Sequence, residues 1–156
     1  MPSDEQDKAG VVAPPPLIYL GTLVFSLLLG RRCPIRFLPR KMARGLGLPL
    51  LAAGMLLLGW FERAMRQADT PASPYKPVER LATEGPFRYS RNPGYLAMAM
   101  IYTGIASLAN AFWAILLLPV ALLAIQRGVI EREERYLERK FGEEYLSYKA
   151  QVRRWI

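Results

Sequence analysis

Residues 94–126, GYLAMAMIYTGIASLANAFWAILLLPVALLAIQ, run for 33 residues without one Asp, Glu, Lys or Arg. No other feature of the chain constrains its fold so strongly. As a single helix the run would reach roughly 50 Å at 1.5 Å per residue, against a bilayer hydrocarbon core of about 30 Å. It is therefore expected to double back. Asn110, between Ala109 and Ala111, supplies the turn, giving antiparallel spans at residues 94–109 and 111–130. Two shorter apolar stretches upstream, LIYLGTLVFSLLLG and GLGLPLLAAGMLLLGWF, give spans at residues 14–30 and 45–62. Each is brief for a full crossing, and flanking arginines extend it by snorkelling. The expected fold class is an all-α integral membrane protein of about four transmembrane helices. The last two form a hairpin, followed by a cytoplasmic amphipathic C-terminal helix over residues 131–154. Residues 1–10 read as a disordered tail and 11–156 as a single domain.

Charge is segregated along the chain. Hydrophobic residues make up 52% and charged residues 22%, and the mean hydropathy of +0.10 averages over two unlike populations. MPSDEQDKAG has the wrong sign of charge for a secretory leader. With four spans, 15 of the 21 Lys and Arg residues fall on the side of the termini and 6, all in residues 31–44, on the other. The positive-inside rule then places both termini in the cytoplasm; an integral position in a bacterial inner membrane is the expected location, which charge does not itself specify. The acid-free link at residues 31–44 stands against that orientation. An odd span count relieves the conflict but separates the two polar clusters described next. The net charge of +8 is assigned to anionic headgroups. No nucleic-acid motif is present, so the bilayer and a small or lipophilic molecule are the expected partners. Four short spans are also compatible with a homodimer. The chain has no His and a single Cys, Cys33, which leaves no imidazole base, disulfide or thiolate zinc site. No metal is expected.

Two polar clusters interrupt this apolar plan. Pro71, Pro74 and Pro77 punctuate the middle link, which reads as extended or turn structure. The motif GPFRYSRNPGYL then leads into the third span, with Asn92 suited to cap it and Pro93 to open it. Beyond the fourth span, Ile130, Leu137, Phe141, Tyr145, Tyr148, Val152 and Trp155 recur at helical spacing, on a face bent at Gly142. Glu134 falls on that stripe, where an unpaired carboxylate is expensive to bury, while Glu131 and Glu133 are expected to point elsewhere. A hairpin brings residues 88–95 and 127–134 to one membrane face. The first offers Arg88, Arg91, Asn92, Tyr89 and Tyr95, the second a carboxylate. An anionic group would sit on Arg88 or Arg91 and the helix start; a cationic centre would favour Glu134 and tyrosine faces. The same residues are compatible with snorkelling anchors, an interfacial aromatic belt, and a Glu134 paired with Arg127 or Arg88.

GPFRYSRNPGYL, a hydrophobic hairpin, and EREERYLERKFGEEYLSYKAQVRRW together resemble the isoprenylcysteine carboxyl methyltransferase family, whose wider group includes phospholipid N-methyltransferases. The likeness runs from about residue 70 onward. It implies an integral membrane enzyme that uses S-adenosylmethionine. Arg88, Tyr89, Arg91, Asn92, Pro93 and Tyr95 would form the cofactor loop, Glu134 the functional carboxylate, and Tyr145 and Tyr148 the lid. Arg88, Arg91 and Glu134 are the candidate catalytic residues. The sequence departs from the family at Asn92, where the loop usually has His, and at Val129, where eukaryotic members carry Arg. The implied reaction is methyl transfer to a lipophilic or small carboxyl, thiol or amine acceptor at the cytoplasmic face. The alternatives are a non-enzymatic membrane scaffold and a nicotinamide-dependent reductase akin to sterol reductases.

Overall fold

A computed structural model describes residues 10–70 and 78–156, and every regular element among them is helical. The proline-punctuated part of the middle link and most of the N-terminal tail lie outside the described residues. Helix α1 spans Pro15–Arg32, α2 Arg40–Gln67 and α3 Pro93–Leu108. Helix α4, Phe112–Ile125, passes through one π turn, Gln126–Ile130, into α5, Glu131–Phe141. Helix α6 covers Glu143–Gln151.

The prolines at the start of α1 and α3 fall where a helix needs no backbone donor, so they open these helices without loss. Helix α2 outruns the expected 45–62 at both ends. Hydropathy marks only its apolar middle, whereas arginines before it and a Glu62–Arg66 pair at 3.6 Å after it are equally compatible with a helix. Two continuous helices are long and apolar enough to cross a membrane, α2 and the rod Phe112–Phe141. Helix α1 ends in Arg31 and Arg32, and α3 has only 16 residues.

Helices α2 and α3 form the closest pair, and glycine makes that approach possible. A Cβ at Gly104 would lie 2.7 Å from the Leu51 nitrogen, and one at Gly54 2.9 Å from the Ile101 nitrogen. Small residues let helix backbones meet in this way where water provides no driving force. Helix α1 packs against α4, and Tyr19, Tyr102, Ala106, Ala114, Ile125, Val129 and Ile130 fill the space between. The outward faces stay apolar: Leu56 is 76% exposed and Val120 61%. Apolar faces of this extent on several helices suit contact with lipid.

The expected hairpin is present. Asn110 turns at φ +50°, and its side chain accepts from the backbone N–H of Phe37 and Leu38 at 3.2 and 3.1 Å and donates to the Leu38 carbonyl at 2.7 Å. The Trp113 indole donates to the Cys33 carbonyl at 2.8 Å. The α1–α2 and α3–α4 connections therefore share one end of the bundle. The polar motifs gather at the other.

The amphipathic helix expected over 131–154 bends at Gly142, as its sequence suggested, and ends at Gln151, short of 154. Gly142, at φ +51° and ψ −123°, separates α5 from α6 in a conformation that disfavours any Cβ. Val152 is extended, because the backbone beyond it is taken up by the loop before α3.

Candidate active site

The loop that carries the first motif is fixed from several sides. Gly85, at φ +64°, packs where a Cβ would approach the Trp60 indole nitrogen to 3.2 Å. Pro86 and Phe87 are buried, Phe87 against Phe61, with ring centroids 5.8 Å apart. The Tyr148 hydroxyl of α6 donates to the Phe87 carbonyl at 2.7 Å. The Arg91 N–H donates to the Arg153 carbonyl at 3.0 Å, and the Asn92 amide to the Arg154 carbonyl at 3.0 Å. Asn92 thus does not cap α3 through its side chain. Its backbone N–H is taken by the Ser90 hydroxyl at 3.1 Å, and the amide reaches across to the segment after α6.

Arg91 and Glu134 meet at 3.3 Å, their side chains 9% and 8% exposed. The same Arg91 nitrogen donates to the Tyr145 hydroxyl at 3.4 Å. Arg91 Nε is buried without a partner among the described residues. Glu134 also takes a two-pronged contact from Arg154, at 2.9 Å from Nε and 2.7 Å from Nη2. Its partners are therefore Arg91, as the meeting of the two motifs implied, and Arg154; the alternative pairing with Arg127 or Arg88 is not seen among the described residues.

Glu133, expected to point away, turns to the same cavity and accepts from the Tyr95 hydroxyl at 2.7 Å. Neighbours on a helix stand about 100° apart, and the cavity is wide enough to take both carboxylates. The uncharged run ends at Gln126, and the charged residues of α5 continue the rod beyond its apolar part. Burial there pushes the Glu133 carboxyl up to about 7, against the Tyr95 hydrogen bond and with help from the Glu134 charge. Burial and then Glu134 push the Tyr145 phenol up to about 12, and burial raises that of Tyr148 well above its ordinary value. Both rings stay neutral at physiological pH.

These groups line a cavity of about 490 Å³. Pro15, Phe61, Met65, Phe87, Met98 and Leu137 supply apolar wall; Arg91, Tyr95, Glu133, Glu134, Tyr145 and Tyr148 supply the polar end. Asn92 and Pro93 also border it. Arg88 and Tyr89 do not: Tyr89 is 69% exposed, and Arg88 faces outward to pair with Glu84. The short helical turn rotates these two residues away from the side that Arg91 presents. The sequence reading missed Glu133 and Arg154. Two consecutive acids on a helix that begins beside an apolar run were a usable signal for the first. Nothing in the sequence marked Arg154.

The fold and the site thus define a helical protein with apolar outward faces and an amphiphilic cavity at one end of the bundle. The family model for phospholipid methyltransferases matches residues 42–144, which hold Arg91, Glu133 and Glu134. The chain belongs to the phospholipid methyltransferase family, which includes isoprenylcysteine carboxyl methyltransferases and whose members generally use S-adenosylmethionine. A 37-residue stretch, 24% of the chain, is 54% identical to an uncharacterized protein of Haemophilus influenzae. That stretch spans 59% of the relative's own length. No solved structure matches the chain.

Proposed function

We propose that the protein is an integral membrane methyltransferase that uses S-adenosylmethionine and acts on a lipophilic or small carboxyl, thiol or amine acceptor at the cytoplasmic face. The observation that carries this reading is the approach of Arg91 to Glu134, 3.3 Å, at the polar end of an otherwise apolar cavity. The residues fit the cofactor. Arg91 holds a buried Nε donor that an incoming carboxylate would satisfy. The faces of Tyr145 and Tyr148 suit a cationic sulfur. When bound, the cofactor supplies a methyl group activated by a sulfonium.

The chain's own residues then have three tasks. Arg91, Tyr145 and Tyr148 hold the ligand. Phe61, Met65 and Leu137 exclude water, so that an acceptor atom can be held in line about 3 Å from the reacting carbon. Glu133, close to neutrality and hydrogen-bonded to Tyr95, takes the proton from an amine acceptor. A carboxylate or thiolate acceptor needs no such base. Glu134 has both oxygens held by Arg154, which suits a carboxylate that organises guanidinium groups rather than one that moves protons. Val129 is fully buried in the apolar core, so no cation stands where eukaryotic members have Arg. That favours an acceptor other than prenylcysteine.

Four spans with both termini in the cytoplasm accord with the 15-to-6 division of cations and with the shared end of the α1–α2 and α3–α4 connections. The test is to incubate the purified protein with methyl-labelled cofactor and total membrane extract. Label is expected in a lipid-soluble or small product, and not with Arg91→Ala. A folded wild-type protein that transfers no label to any extract component contradicts the reading.

A further inference from the structure

Arg154 lies beyond the stretch matched by the family model and does not line the cavity, yet its side chain holds Glu134 and its backbone holds the residues that flank Arg91. Its guanidinium places one donor on each oxygen of Glu134, at 2.9 and 2.7 Å. Glu131 stands 4.0 Å away on its other side. Its backbone carbonyl accepts from the Ser90 hydroxyl at 3.3 Å and the Asn92 amide at 3.0 Å, on either side of Arg91 in sequence. Hydrogen bonding to Glu134 is the main cause that raises the Arg154 pKa, so the group stays charged.

Glu134 thus holds two guanidiniums on unequal terms. Arg154 makes the matched fork, which is the strong form of an arginine–carboxylate contact. Arg91 makes one contact at 3.3 Å and leaves its buried Nε unmatched. A buried carboxylate without a partner is costly, so Glu134 stripped of Arg154 would hold Arg91 as its sole counter-ion. With Arg154 in place, Glu134 stays paired when Arg91 turns toward something else.

We infer that Arg154 is a positioning residue: it saturates Glu134 and thereby leaves the Arg91 guanidinium available to the carboxylate of the bound cofactor. This rests on the function proposed above, and it concerns only the anionic part of the ligand. Binding of two probes to the full-length protein in detergent, measured by calorimetry, separates the cases. S-adenosylhomocysteine carries the amino-acid carboxylate; 5′-methylthioadenosine lacks it. Arg154→Ala is expected to weaken the first roughly tenfold and to leave the second within about twofold, since one charge-assisted contact is affected. Arg154→Lys, which keeps the charge but cannot form the fork, should show the same selectivity at a smaller size, and it decides the matter if the alanine variant does not fold. Parallel losses for both probes, or unchanged S-adenosylhomocysteine affinity in the lysine variant, would overturn the inference. Equal affinity of the wild-type protein for the two probes would overturn it as well, while sparing the cofactor site. A wild-type protein that binds neither probe overturns the proposed function itself, and the inference with it.

Discussion

At the scale of single residues, the two neighbouring acids have opposite roles set by their partners. Glu133 has one hydroxyl partner and a raised pKa; Glu134 has two guanidiniums. The folded chain holds the Glu133 proton more tightly than the unfolded chain, with a pKa of about 7 against 4.5. The stability this group contributes is therefore full below the unfolded value and is lost as pH rises through the folded one. Glu133→Gln keeps an acceptor for Tyr95 and removes the titration. In thermal unfolding at pH 8 it is expected to be more stable than wild type by on the order of 3 kcal/mol, with the difference vanishing near pH 4. Equal pH profiles would contradict this. Glu134→Ala leaves Arg91 and Arg154 without their shared counter-ion and is expected to cost about 3 kcal/mol. A loss below about 1 kcal/mol, the scale of an exposed pair, would show that the triad is not buried in solution. Glu134 was legible because it interrupts an apolar stripe. Arg154 was not, because it is one of several cations in a charged tail and its partner lies 20 residues back.

At the scale of elements, the α2–α3 seam joins the two helices that flank the link carrying Arg91. Gly104→Ala places a methyl group 2.7 Å from the Leu51 backbone and is expected to lower stability by about 1–3 kcal/mol. Gly59→Ala meets nothing within 4 Å and should be neutral or mildly stabilising. Thermal unfolding of the two variants in one detergent makes the comparison; equal effects would contradict the seam. The hairpin at Asn110 was readable from length alone, because an uncharged run longer than a bilayer must fold back. The bend at Gly142 was readable from the glycine. The π turn was not: GVI in Gln126–Ile130 carries no mark that separates it from ordinary helix. The lengths of α2 and of the last helices also escaped, since charged residues are as compatible with a helix end as with a loop.

At the scale of the whole molecule, one end of the bundle carries the cavity and the other carries Cys33, the only cysteine. If the cavity faces the cytoplasm, a membrane-impermeant thiol reagent added to intact cells should label exposed Cys33 once the outer membrane is permeabilised. Labelling only after the inner membrane is opened would invert the proposed orientation. The meeting of the two motifs at one end was foreseeable from sequence because a hairpin returns its strands of chain to a common face. The cavity between them was not, since its walls come from α1, α2 and the link as well. The most direct test of the account is titration of the purified protein, in detergent, with S-adenosylhomocysteine, for wild type beside Arg91→Ala. Saturable binding by the wild type, weakened at least about tenfold by the substitution, is the expected result. A folded wild-type protein that binds nothing at millimolar ligand, or an Arg91→Ala variant that binds equally well, would contradict it.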